Sequence, residues 1–273
     1  MIQKIKKGEL TTQQIVLLII LIASFAVILF FLFRLNLSEQ TQKEICHNSV
    51  VLKGKSNLAG ELDCKTSYVC ISGGEECKDI LPTETIKIDS GKDSEKVKEE
   101  TLQAIADKMA ECWWMFGEGK VDYVGLNIEG ATIGQVNCAV CSTIKFDENI
   151  KNYAGQNTFG DLYDYLSTTK KDNSQTYLQY LRQSSTYDKT NPVYSESINF
   201  NEDYVVVTGI AKEGAIRATA FWLGSGYDLL NSWVPFVEFD KFDKSGDYGP
   251  FPAIIVKQSE LDKVGCDNFI TKA

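Results

Sequence analysis

Cys138-Ala139-Val140-Cys141 is the stretch of this 273-residue chain whose residue types and spacing most directly suggest chemistry. Two cysteines separated by two residues can form a catalytic dithiol or supply half of a tetrahedral zinc site. A thioredoxin-like dithiol begins a helix after a strand. Here Ser142-Thr143-Ile144-Lys145-Phe146 follows, and its alternation is that of a strand. No second CxxC completes a zinc site. A metal set would have to combine Cys138 and Cys141 with Cys46 and the adjacent His47. The expectation is that both cysteines of the motif are structural.

Other candidate groups carry less. His47 is the only histidine, so any Ser-His-Asp or Cys-His site must use it, and nothing in its sequence surroundings orients it. Gly117-Glu118-Gly119-Lys120 resembles a fragment of a phosphate-binding loop, but a Walker A loop needs four residues between its first glycine and its Gly-Lys, then Ser or Thr; Val121 follows here. Glu238, Asp240, Asp243 and Asp247 crowd one loop and offer the oxygens that calcium prefers, although the spacing is not that of an EF-hand. No pair of carboxylates stands out for glycoside hydrolysis. No catalytic residue, resident metal or cofactor is assigned.

The cysteines read better as a framework. Cys46, Cys64, Cys70, Cys77, Cys112, Cys138, Cys141 and Cys266 all lie after one long apolar segment. An even number on one side of a membrane implies up to four disulfides and an oxidising compartment, with the pairing open. Charge narrows the partners. Setting aside Lys4, Lys6, Lys7 and Arg34 from the 28 basic residues, and Glu9 from the 37 acidic ones, leaves 24 against 36, a formal −12 for residues 38–273. A domain so acidic, without a basic stripe, excludes a nucleic-acid surface.

Residues 15–33 carry no charge and only one polar side chain, Ser24. As a helix they reach about 28 Å, close to the hydrocarbon thickness of a bilayer. The three lysines precede the segment and only Arg34 follows closely, so the positive-inside bias puts the N-terminus in the cytoplasm. The organisation expected is a basic cytoplasmic segment (1–14), a transmembrane helix in contact with lipid (15–35), a juxtamembrane linker (36–43), a cysteine-rich subregion broken by glycine turns (44–84) and a main extracytoplasmic domain (85–273).

Within that domain Leu102, Ile105, Met109, Cys112 and Phe116 recur at helical spacing, which predicts a helix over about 93–117 ended by Gly117 and Gly119, with Cys112 on its buried face. Residues 85–88, 121–128, 204–210, 215–223 and 251–257 read as strands, the third and fourth as a hairpin. Phe159, Leu162, Tyr163 and Leu166 mark one short helix, and Tyr177, Tyr180 and Leu181 another. The tyrosines at 153, 163, 165, 177, 180 and 187 are expected to pack a thin subdomain on the sheet, or else to present an aromatic binding surface. The fold class is α+β: an antiparallel sheet with one long packed helix, hardened by disulfides.

Two resemblances add to this. Lys6-Lys7-Gly8-Glu9 before a long apolar helix resembles the class III signal of archaeal pilins and archaellins. That resemblance implies cleavage between Gly8 and Glu9 and assembly of the apolar helices into a filament core. The polar Thr11-Thr12-Gln13-Gln14 departs from it. Residues 14–37 with Glu44-Ile45-Cys46-His47-Asn48-Ser49-Val50, then Glu111-Cys112-Trp113-Trp114-Met115-Phe116-Gly117-Glu118-Gly119-Lys120, the CxxC and Gly265-Cys266-Asp267 together resemble membrane-anchored proteins of small-genome symbiotic archaea. This implies an archaeal cell surface and carries over no catalytic residue. The function expected is a membrane-anchored surface protein, structural or interactive, with self-assembly or a surface protein or glycan as partner. The alternatives are a pilin-like filament subunit processed after Gly8 and an envelope thiol-disulfide oxidoreductase using Cys138 and Cys141.

Overall fold

The structure, a computed structural model, describes residues 12–34, 37–56, 61–89, 94–124, 136–153, 158–159, 162–182, 197–212 and 248–271. It divides into two compact units, Met1–Thr41 and Gln42–Ala273. In the first, α1 (Thr12–Arg34) is a 23-residue helix about 34 Å long. Its window Gln13–Phe30 is long and apolar enough to cross a membrane, and none of it is buried. The one hydroxyl in the expected span is satisfied locally: Ser24 donates to the carbonyl of Leu21 at 2.9 Å. Gly8 and Glu9 lie outside the described residues.

The residues expected to form the juxtamembrane linker are helical from Leu37. That helix, α2 (Leu37–Lys55), runs from the first unit into the second. Its sequence is polar and lacks a wide apolar stripe, so the pattern hides it. Cys46 and Val50 are buried, and Cys46 is bonded to Cys64. Tertiary fastening holds this helix rather than an amphipathic face.

The second unit is α+β. Its elements are β1 (Ser67–Ser72), β2 (Glu84–Lys87), α3 (Ser94–Met115), β3 (Val136–Phe146), α4 (Glu148–Tyr153), β4 (Thr158–Phe159), α5 (Leu162–Thr168), α6 (Tyr177–Arg182), β5 (Ile198–Asn199), β6 (Tyr204–Lys212), β7 (Tyr248–Lys257) and β8 (Asn268–Phe269). The main sheet is ordered β2-β1-β3-β6-β7, with β8 beside β3. It is mixed, where an antiparallel sheet was expected. β1 runs parallel to both β2 and β3, while β6 is antiparallel to β3 and β7. The 11-residue β3 explains the branching: β6 covers one edge, and the other is divided between β1, at residues 142–146, and β8, at residues 137–138. Strand β6 is buried from Tyr204 to Ala211 and reads as a nearly continuous apolar run, without the alternation of a half-exposed strand.

One expected strand needs correction, and another falls outside the described residues. Val121 to Val124 are not in a strand, and residues 125–128 lie outside the described residues. The second arm of the expected hairpin, 215–223, also lies outside them; the antiparallel partners of β6 are β3 and β7. Gly209 in β6 serves close approach. A Cβ there would collide with the Phe251 ring and the Asn137 carbonyl on the two flanking strands.

Helix α3 spans the predicted length. Leu102, Ile105, Met109, Cys112 and Phe116 are all buried, as their spacing requires. It packs against β3, β6 and β7 on one side and α5 and α6 on another, so Ala104, Ala106, Ala110 and Trp113 are buried as well. The helix ends where Gly117 adopts φ 75°, a left-handed conformation that glycine enters without steric cost.

Four disulfides complete the unit: Cys46–Cys64, Cys70–Cys77, Cys112–Cys141 and Cys138–Cys266, with Cα separations of 4.5–5.8 Å. No cysteine is left free. Cys141 is the extra residue of a β-bulge, lying between Val140 and Ser142 where the β3–β6 register shifts, and its bond pins α3 to the sheet. Asp147 does comparable work without a covalent bond. Its buried carboxylate accepts from the Ile150 amide (2.8 Å) at the start of α4, from the Ser72 hydroxyl (3.0 Å) at the end of β1 and from the Glu75 amide (2.8 Å) in the Cys70–Cys77 loop.

Two outcomes follow for stability. Loop-closure entropy makes Cys138–Cys266, at a separation of 128, worth about 5 kcal/mol, against about 2.4 kcal/mol for Cys70–Cys77 at a separation of 7. Paired serine substitutions, made one bridge at a time and followed by denaturant titration, should preserve that order. Asp147→Ala strands the Glu75 and Ile150 amides, while the Ser72 hydroxyl keeps the Glu75 carbonyl at 2.6 Å, and should cost about 2–4 kcal/mol by the same measurement.

Candidate functional site

The cysteine chemistry considered from the sequence is not assembled. Cys138 and Cys141 lie inside strand β3, are both buried, and are bonded to Cys266 and Cys112 rather than to each other. A redox dithiol needs an accessible vicinal pair, which this is not. Cys46 is bonded to Cys64, so it is not a thiolate ligand beside His47. Among the described residues no group of three His, Cys, Asp or Glu side chains is placed to hold a metal. Gly117–Gly119 is a 3-10 turn closing α3, with Lys120 donating its amide to the Gly117 carbonyl at 2.9 Å. Glu238, Asp240, Asp243 and Asp247 lie outside the described residues.

His47 turns out to be oriented after all. Its ring stacks on Trp114, with centroids 4.2 Å apart and planes within 8°. Its Nδ1 lies 2.7 Å from the Trp114 carbonyl. A carbonyl oxygen only accepts, so Nδ1 carries the proton. The imidazole is a packing tile between α2 and α3.

What the fold does assemble is a cleft of about 300 Å³ along the second face of α3, lined by Asp107, Ala110, Glu111, Trp114, Lys171, Tyr177 and Tyr180. Gln103, Asp107, Glu111 and Trp114 succeed one another at spacings of 4, 4 and 3, so they form one stripe beside the stripe that packs on the sheet. The tyrosines reach it from α5 and α6, which pack on α3, and α6 also packs on β7 of the sheet. Tyr165 donates to the Gln103 side-chain carbonyl, and Tyr177 donates to Asp107. Gln103 Nε2 in turn donates to both oxygens of Asp107 at 3.1 Å. Tyr180 donates to Glu118 at 2.8 Å, and the Lys171 ammonium lies 4.2 Å over the Tyr180 ring.

One wall of the cleft is fixed by charge. Lys43 of α2 and Lys108 of α3 both pair with Glu84 of β2 and Glu111 of α3; Lys43–Glu84 is 3.5 Å and Lys108–Glu111 is 2.7 Å. Two cations meet two anions, and the ammonium of the buried Lys108 keeps both carboxylates as partners. Glu111 therefore enters the cleft already neutralised.

Titration behaviour follows from this packing. Burial raises Tyr177 and Tyr180 well above the ordinary phenol value, and their hydrogen bonds to Asp107 and Glu118 raise them further. Burial alone would also raise Glu118, but hydrogen bonds from Lys120 and Tyr180 outweigh it and hold the carboxyl below the usual range.

The polar stripe of α3 and the Trp113-Trp114 pair were present in the sequence, but nothing there indicated which residues would face them across a cleft. No family model, no curated protein and no solved structure matches the chain. The fold therefore defines a class by its own features: a disulfide-bonded α+β domain that follows a helix long and apolar enough to cross a membrane.

A group whose folded pKa is raised contributes stability that is intact below its unfolded value, about 10 for tyrosine, and is lost as pH climbs above it. Unfolding free energy should therefore fall above about pH 10. Tyr177→Phe should shallow that decline and, near neutral pH, cost about 1–2 kcal/mol for the lost bond to Asp107. Denaturant titrations at a series of pH values measure both effects.

Proposed function

We propose that this chain is a single-pass membrane protein that holds its disulfide-bonded domain on the extracytoplasmic side, as a structural or interaction component of the cell surface. The observation that carries the reading is the pairing of all eight cysteines in a chain whose N-terminal helix is apolar and exposed over Gln13–Phe30. Disulfides persist in oxidising compartments and are rare in the cytosol. Lys4, Lys6 and Lys7 precede the helix, and their charge favours a cytoplasmic N-terminus.

The physical logic is that of a tether. Lipid retains α1, and four covalent bridges keep the domain folded where no chaperone or reductant acts on it. In keeping with the resemblance carried by the sequence, the surface in question is that of a small-genome archaeon. The domain's partner there is a protein or glycan, or further copies of the chain.

The test uses native membranes and a membrane-impermeant maleimide. Without reductant the eight cysteines should take up no label, and the intact mass should fall below that of the reduced chain by the eight hydrogens of four disulfides. A tag after Ala273 should be cleaved by protease added outside sealed cells. Labelling of all eight thiols in unreduced material, or a protected tag, sinks the reading. N-terminal sequencing of the same material distinguishes an intact anchor from a subunit that begins at Glu9.

A further inference from the structure

We propose that the cleft between α3 and α6 is a binding site for a single neutral sugar ring. The argument goes by elimination and then by fit. An anionic ligand would meet the Asp107 carboxylate in the cleft wall. A metal ion would find no third protein ligand among the described residues, and Glu111 is already taken by Lys43 and Lys108. An organic cation would meet the Lys171 ammonium, which lies 4.2 Å over the Tyr180 ring. The formal charges lining the space are one carboxylate with no ion pair among the described residues, Asp107, one carboxylate neutralised by ammonium groups, Glu111, and one ammonium, Lys171. That balance suits an uncharged guest.

The lining also has two chemical halves. Trp114, Ala110 and the tyrosine rings give apolar surface, while Asp107, Lys171 and the phenol oxygens supply acceptors and donors around it. A pyranose has the matching anatomy, with C–H groups that pack on aromatic and aliphatic surface and a rim of hydroxyls that both give and accept hydrogen bonds. A cleft of about 300 Å³ is at the small end of ligand sites, which suits one ring rather than a chain of them.

The polar half is held in place before any ligand arrives. Asp107 is oriented by Tyr177 and Gln103, and Gln103 by Tyr165. A carboxylate offers about four acceptor positions; those donors leave room for hydroxyls at this exposed side chain. Groups already ordered lose little entropy on binding. The ring would be the terminal residue of a surface glycan or a free monosaccharide, and the recognition chemistry is the same for both.

The full chain is placed in lipid nanodiscs, because sugar-headed detergents would compete. Methyl glycosides of glucose, galactose, mannose and N-acetylglucosamine are offered separately, and saturation-transfer NMR and tryptophan fluorescence report binding. At least one should bind in the millimolar range, and Trp114→Ala and Asp107→Asn should each weaken it by about tenfold. Asp107→Asn alters an exposed side chain without removing volume, so it decides the matter should Trp114→Ala misfold. A disaccharide ending in the same residue should bind no more weakly than the methyl glycoside if glycan ends are accepted. The proposal is overturned if none of the glycosides binds at tens of millimolar, if binding survives Asp107→Asn unchanged, or if tetramethylammonium binds where all the glycosides fail.

Discussion

The attachment of α3 to β3 is the constraint on which the rest of this domain depends. Met109, Cys112 and Phe116 press one face of the helix into the protein core, and the Cys112–Cys141 bond fixes the helix's position along the strand. That bond is possible because the bulge at residue 141 re-aims one side chain of an otherwise regular strand. Once α3 is set, its other stripe is set with it. Gln103, Asp107, Glu111 and Trp114 then stand where α2, α5 and α6 converge. The cleft is a consequence of helix placement, and loop conformation contributes little to it beyond Lys171.

The bridges and the charge network divide the work by distance along the chain. Cys46–Cys64 and Cys70–Cys77 close short loops near the start of the domain, and Cys138–Cys266 returns the C-terminal segment to the central strand. There Asp267 accepts from the Val136 amide at 2.7 Å, and β8 extends the sheet for two residues. Lys43, Lys108, Glu84 and Glu111 fasten α2, α3 and β2, which no bridge connects to one another. Lys108 is buried beneath its two carboxylate partners. Removing either partner would leave it undercompensated, so the network holds these elements in one arrangement even if its net contribution to stability is small.

Much of this was legible in the sequence, and the parts that were not share a physical cause. Helix α1, α3, β2, α5 and α6 announce themselves by apolar length or period. Helix α2 does not, because a bridge, an ion-pair network and a stacked histidine hold it in place of an apolar stripe. The parallel pairing of β1 with β3 was hidden for a related reason. Pairing direction is a property of the crossover through α3, not of either strand's residues. The cysteine motif misled by proximity: residues 138 and 141 are neighbours in sequence, but their partners lie on α3 and near the C-terminus.

The cleft illustrates the same limit at the level of function. Each lining residue is ordinary alone: a helix-surface aspartate, a lysine in a turn, two tyrosines among twelve. Their meaning is relational, since Glu111 is chemically silent only because Lys43 and Lys108 reach it, and the Tyr180 face is closed to cations only because Lys171 lies over it. Balanced charge beside aromatic side chains is the feature on which the proposed site for an uncharged polar ring rests. That balance comes from pairings across α2, α3 and α6, so it exists only after the α3–β3 fastening has formed.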